Sequence, residues 1–128
     1  MENNFPIKPP PHGFGEIPIV QAVHDFYLEF HKALIDFPKF TKHTLGETTQ
    51  HCSLQMLEAL LSAGQSSPGV NKYNFLSEAN AKLLLLKLLV RMCFETKAIS
   101  DKKYIALQSR LQTIGKMLGG WMRTSKIN

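Results

Sequence analysis

The apolar residues of this chain recur at helical spacing, most clearly in an early segment and in the last one. The early stripe steps by 3, 4, 3, 4 and 3 residues through Val20, Val23, Tyr27, Phe30, Leu34 and Phe37. The same steps connect Tyr104, Leu107, Leu111, Ile114, Leu118 and Trp121 near the C-terminus. Side chains spaced in this way form one stripe along a helix. No stretch alternates clearly between apolar and polar residues, so the pattern predicts an all-α protein.

Prolines, glycines and capping residues set the ends of four predicted helices. Pro18 suits a first helical turn, and Pro38 pushes the residue before it out of the helical region. Ser100 and Asp101 are capping residues for the last helix. The predicted helices cover residues 18–37, 39–63, 74–97 and, after the cap, up to 124.

The connections between these helices are short. Short connections favour antiparallel neighbours, so residues 18–126 are predicted to form an antiparallel up-down-up-down four-helix bundle. Residues 1–17 contain Pro9, Pro10 and Pro11 and little apolar periodicity. They are predicted to be a flexible, proline-rich N-terminal arm.

The third predicted helix has more apolar surface than a small bundle buries. A bundle helix needs an apolar stripe of only about 100°. Here the apolar residues cover well over half of the circumference, and only Lys87, Arg91 and Glu95 form a narrow charged strip. This favours a subunit interface over burial at the centre of the protomer. Leu85 and Leu89 are the candidates for its outer face.

Glycines interrupt the pattern of the last helix. Each interior glycine costs a helix about 1 kcal/mol relative to alanine. Gly115 and Gly119 share one face beside the apolar stripe, so we expect them to let another backbone approach closely, with Trp121 as an anchor. The alternative is a helix that frays at Gly119 and Gly120. The helical pattern continues through Arg123, which favours the first interpretation.

The charge is distributed unevenly. Residues 1–60 contain 4 Lys/Arg and 7 Asp/Glu, a balance of −3, whereas residues 61–128 contain 11 and 3, a balance of +8. This points to a polyanion or an acidic partner, and the alternative is a solvated surface that binds nothing. No aromatic residues interleave with the cations, so we expect phosphate contacts with little base preference. The candidate nucleic-acid-binding residues are Lys87, Arg91, Lys102, Lys103, Arg110, Lys116 and Arg123.

The sequence contains no pattern for metal, cofactor or catalytic chemistry. No Glu-x-x-His pair, zinc pattern, P-loop or nucleophile elbow occurs, and we expect the carboxylates of Asp25 and Glu29 to be solvated. Cys52 and Cys93 are predicted to be small core residues in a reducing compartment. The longest apolar stretch, residues 83–94, is too short to span a bilayer. The prediction is a cytoplasmic, non-enzymatic protein without cofactor, metal or membrane contact.

Several motifs together resemble one known family. These are Ile17-Pro18-Ile19-Val20, Asp25-Phe26-Tyr27, Phe37-Pro38-Lys39, Thr44-Leu45-Gly46, the stretch from Leu83 to Arg91, Tyr104 and Ile114-Gly115-Lys116-Met117-Leu118-Gly119-Gly120-Trp121. In this order they resemble the accessory variability determinant proteins of diversity-generating retroelements. The resemblance covers about residues 17–124.

The resemblance implies a homopentameric barrel that binds RNA or DNA and the retroelement's reverse transcriptase. That complex copies a template RNA with errors directed to adenines, while the accessory protein itself is non-catalytic. The alternative function is an oligomeric four-helix-bundle scaffold for a protein partner, unconnected to a retroelement. Bundle proteins encoded in ribosomal RNA intervening sequences are of this second kind.

Overall fold

The computed structural model describes residues 18–125, which form four helices and no strand. Helix α1 is Pro18–Leu34, α2 covers residues 39–65, α3 is Val70–Glu95 and α4 is Asp101–Thr124. The prediction of an all-α fold is thus confirmed. The arm predicted over residues 1–17, and residue 126 of the predicted domain, lie outside the described residues.

The helices pack in a ring in which each contacts its neighbours in sequence and α1 closes on α4. Connections of four or five residues join helices of 17 residues or more, so successive helices run antiparallel. The four-helix bundle is therefore confirmed for the protomer. The apolar stripes of α1 and α4 lie in the core, where Phe26, Phe30, Leu107, Leu111 and Leu118 are fully buried.

Two helix boundaries differ by three residues or more from their predicted positions. Helix α1 ends at Leu34, because the next residues form a tighter turn in which the Phe37 N–H donates to the Leu34 carbonyl at 3.1 Å. Phe37 remains buried although it lies outside the helix. Helix α3 starts at Val70, four residues before its predicted start, because the chain turns at Gly69, which has a φ of 147°.

Helix α2 contains a π-helical turn, Lys42–Gly46, between the short Lys39–Thr41 turn and the regular Glu47–Gln65 segment. The N–H of Glu47 donates to the carbonyl of Lys42, five residues earlier. Gly46 is buried in this turn, and a Cβ added there would lie 2.6 Å from Leu34 Cδ2. Among the glycines of residues 18–125, Gly46 is therefore the one where an added Cβ would require a side chain of α1, Leu34, to shift.

The turn between α3 and α4 is held by caps on both sides. Lys97 has a left-handed φ of 66°, and the Ala98 N–H donates to the Cys93 carbonyl at 2.8 Å, which is a Schellman motif. The Ser100 hydroxyl accepts a hydrogen bond from the Lys103 N–H at 3.1 Å, which confirms its predicted role as the cap of α4. The turn therefore sets the start of α4 at Asp101, directly before its first basic residues.

Both cysteines lie in the core, as predicted. Burial raises the pKa of the Cys52 thiol, and it raises the pKa of Cys93 to about 11. Across residues 18–125, no helix is long and apolar enough to cross a bilayer.

Candidate nucleic-acid interface

The seven predicted nucleic-acid-binding residues all lie on α3 and α4, but the structure divides them by the partners they contact. Lys103 and Arg110 face α1 and contact Glu29. Arg91 pairs with Glu95 on its own helix. The other four have no salt bridge to a carboxylate of residues 18–125, and these are Lys87, Lys102, Lys116 and Arg123.

Glu29 connects α1 to α4 through both carboxylate oxygens. Its Oε1 accepts a hydrogen bond from Arg110 Nε, and its Oε2 lies 3.6 Å from Lys103 Nζ. The Glu29 side chain is only 18% exposed. The prediction that Glu29 is a plain solvated charge is therefore wrong, because α4 covers it and supplies two cations. Glu29 is a residue that the sequence did not reveal as part of this site.

Arg91 and Glu95 form an ion pair one turn apart on α3. Arg91 Nε lies 3.1 Å from Glu95 Oε2, and both side chains are largely exposed. Such a pair contributes only about 0.3–0.5 kcal/mol. The pairing neutralises part of the charge of Arg91 without burying it.

The glycines of α4 leave room for cationic side chains. A Cβ added at Gly115 would lie 3.7 Å from Lys87 Nζ, and one at Gly119 would lie 3.6 Å from Arg123 Nη1. The helix continues to Thr124, so the alternative of fraying at the glycines is wrong. No backbone of another helix approaches either position within the described protomer. Close approach by a second copy stays a prediction.

Helix α3 has apolar residues on two faces. Leu83, Leu86 and Leu89 point into the core, and Leu89, one of the two candidates for the outer face, is only 5% exposed. Leu85 is 40% exposed and does lie outside. It belongs to an exposed stripe that we call the α3 stripe, made of Leu84, Leu85, Leu88 and Met92.

One aromatic residue does lie beside a cation. Lys72 Nζ is 5.9 Å from the centre of the Trp121 ring, within the range of a cation–π contact. Trp121 is half-buried against the core. Trp121 therefore packs at the end of α4 with Lys72 over one face of its ring, and its role as an anchor for a close helix contact stays a prediction.

The residues described do not form a metal centre. No three His, Cys, Asp or Glu side chains of residues 18–125 are placed to hold a metal ion. The charged side chains that do meet between helices are Glu29, Lys103 and Arg110, at the contact of α1 with α4.

The described residues form a four-helix bundle with most of its cations on two helices and an exposed apolar stripe on one of them. The family model of the bAvd-like proteins matches residues 17–125, and the chain therefore belongs to the bAvd-like family. No curated protein shows significant similarity to it. The resemblance seen in the sequence motifs is thus confirmed. Membership indicates an accessory, non-catalytic protein of the retroelement-associated type.

Proposed function

We propose that this protein is a non-catalytic accessory subunit of a diversity-generating retroelement that binds template RNA or cDNA and the reverse transcriptase. One observation carries the nucleic-acid part of the proposal. Lys87, Lys102, Lys116 and Arg123 lie on α3 and α4 without a carboxylate partner in residues 18–125, in the half of the chain with an excess charge of +8.

Lys116 and Arg123 are central to this surface. They are seven residues apart on α4, so they lie two turns, or about 10 Å, apart on one face. Gly119 lies between them and presents no side chain, which leaves the approach to Arg123 open. A polyanion can therefore contact both residues along the helix. Lys87 extends the surface to α3.

We further propose that the protein assembles through the α3 stripe. Four large apolar side chains exposed on one helix are a stronger signal than isolated surface leucines. Burying them against a second copy removes this surface from water. The five copies implied by the family resemblance require a heterologous contact that closes into a ring.

Salt-dependent RNA binding tests the function. An RNA hairpin should bind at low salt, and log K should fall linearly with log salt by about 0.7–0.9 for each phosphate contacted. Replacing both Lys116 and Arg123 with alanine should flatten this slope by about 1.4–1.8, since two phosphate contacts are lost.

The matched control replaces Lys39 and Lys42, which lie at the start of α2, with alanine and removes the same charge from the acidic half of the chain. Its slope should stay close to that of the wild type. Absence of binding at low salt, or equal slopes for both variants, would leave the scaffold function as the better explanation. A reverse-transcriptase gene beside this one would independently support the retroelement assignment.

A further inference from the structure

The groove between α1 and α4 contains three cations, and two of them, Lys103 and Arg110, already contact Glu29. It has a volume of about 420 Å³ and is lined by Asp25, Leu28, Glu29, Lys32, Lys103 and Arg110. Three of these side chains are cationic and two are carboxylates. The groove therefore has the composition of a phosphate site together with its own counter-ions.

The two carboxylates have different roles. Asp25 is directed to its own helix, where its hydrogen bond with the His24 ring lowers its pKa. Burial acts in the opposite direction. The hydrogen bond from Gln21 and the positive charges of His24 and Arg110 lower the pKa further. Glu29 is directed across to α4, where its two oxygens take up Arg110 and Lys103. Glu29 is thus the carboxylate that stands between an incoming phosphate and the cations of α4.

We propose that Glu29 is an internal counter-ion that keeps Arg110 and Lys103 from nucleic-acid phosphates, so that the α1–α4 groove is a latent phosphate-binding site. The proposal rests on the proposed nucleic-acid binding and specifies which of its cations are available. A phosphate that approaches Arg110 must displace a carboxylate that is already hydrogen-bonded and mostly covered. No carboxylate of residues 18–125 forms a salt bridge with the other cations of the proposed site, Lys87, Lys102, Lys116 and Arg123.

The test is the substitution Glu29→Gln, which keeps the shape of the side chain and removes its charge. RNA affinity is measured with a fluorescently labelled RNA hairpin from about 50 to about 200 mM KCl. Glu58→Gln is the matched control, because Glu58 is exposed on α2 and has no salt bridge to a cation of residues 18–125. It makes the same change in net charge at a distance from the groove.

We expect Glu29→Gln to steepen the salt slope by about 0.7–1.8, which corresponds to one or two additional phosphate contacts. Glu58→Gln should leave the slope unchanged. In the double variant Glu29→Gln/Arg110→Gln the steepening of the salt slope should be about half as large or smaller, because Arg110 supplies one of the new phosphate contacts. Arg110→Gln alone should change the salt slope by less than about 0.7, the value for one phosphate contact, because Arg110 is already paired with Glu29.

The outcomes separate this inference from the proposed function. Equal slopes for Glu29→Gln and Glu58→Gln, with wild-type binding intact, overturn the inference and leave the function standing. RNA binding that appears only in Glu29→Gln supports the inference and contradicts the function of the wild type. If neither protein binds, both fail. Should Glu29→Gln not fold, Arg110→Gln decides alone, since a full loss of one phosphate contact would show that Arg110 is not occupied.

Discussion

Gly46 is the glycine at which an added methyl group meets the strongest resistance. A Cβ there would lie 2.6 Å from Leu34 Cδ2 and 3.7 Å from Phe37 Cδ2, whereas nonbonded carbon atoms pack at about 3.5–4.0 Å. Leu34 is only 8% exposed, so its displaced methyl must find room within a packed end of the bundle. Overpacking of this kind costs about 1–3 kcal/mol.

A second effect acts in the opposite direction. Gly46 has ordinary helical dihedrals, φ −62° and ψ −51°, so alanine at this position regains about 1 kcal/mol of helix propensity. The steric cost is the larger of the two on average, and we expect Gly46→Ala to lower the stability by roughly 1 kcal/mol. In a domain of this size that corresponds to a fall in Tm of about 4 °C.

Gly119→Ala is the matched control on the same chain. Its added Cβ would meet only Arg123 Nη1 at 3.6 Å, an ordinary contact, so the propensity gain of about 1 kcal/mol should raise the Tm. Thermal melts followed by circular dichroism at one protein concentration compare the two variants. The double variant Leu34→Ala/Gly46→Ala completes the cycle, because without the Leu34 methyls Gly46→Ala should become neutral or stabilising.

An upward shift of Tm for both glycine variants would refute the steric argument, because it would mean that Leu34 relaxes without cost. Equal effects of Gly46→Ala in the presence and absence of the Leu34 side chain would refute it as well. A loss of assembly in Gly119→Ala, visible by light scattering, would instead show that a second copy packs against the glycine face of α4.

Two further predictions concern the turn and the assembly. Lys97→Gly should stabilise the protein by about 1 kcal/mol in a thermal melt, because Lys97 has a left-handed φ of 66° that glycine adopts without strain; no gain would contradict this view of the turn. Light scattering of the wild type should show a mass several times 14.5 kDa, and Leu88→Glu should reduce it towards one protomer. Ile35→Glu, an equally polar change at an exposed residue of the turn that follows α1, should leave the mass unchanged, and a monomeric wild type would contradict the proposed assembly.

The core and the number of helices could be predicted because both depend on local spacing. Leu107, Leu111 and Leu118 are buried as their helical steps require, and Ser100 caps α4 because its hydroxyl is adjacent in sequence to the N–H groups it serves. The end of α1 was predicted less well. Phe37 keeps the helical step, yet it reaches the core from a turn, and spacing alone does not distinguish these two geometries.

The role of Gly46 could not be predicted, since it depends on the distance between two helices. The sequence drew attention to Gly115 and Gly119 because they interrupt an apolar stripe, while Gly46 lies in a polar segment. Only the packing of α2 against Leu34 shows which glycine needs to lack a Cβ. The π-helical turn that carries Gly46 has no signature in the spacing of its residues.

In the candidate site, the sequence likewise predicted which helices carry the cations but not which cations are paired. The excess of +8 in the second half of the chain correctly located the cations on α3 and α4. It could not show that Arg110 contacts Glu29, 81 residues away in sequence, because ion pairs between helices depend on tertiary packing. A sequence does not distinguish a cation held by a partly buried carboxylate from one exposed on a helix surface, yet only the second is free to contact a phosphate. Which cations of α4 are paired therefore follows from the tertiary packing and cannot be obtained from the net charge.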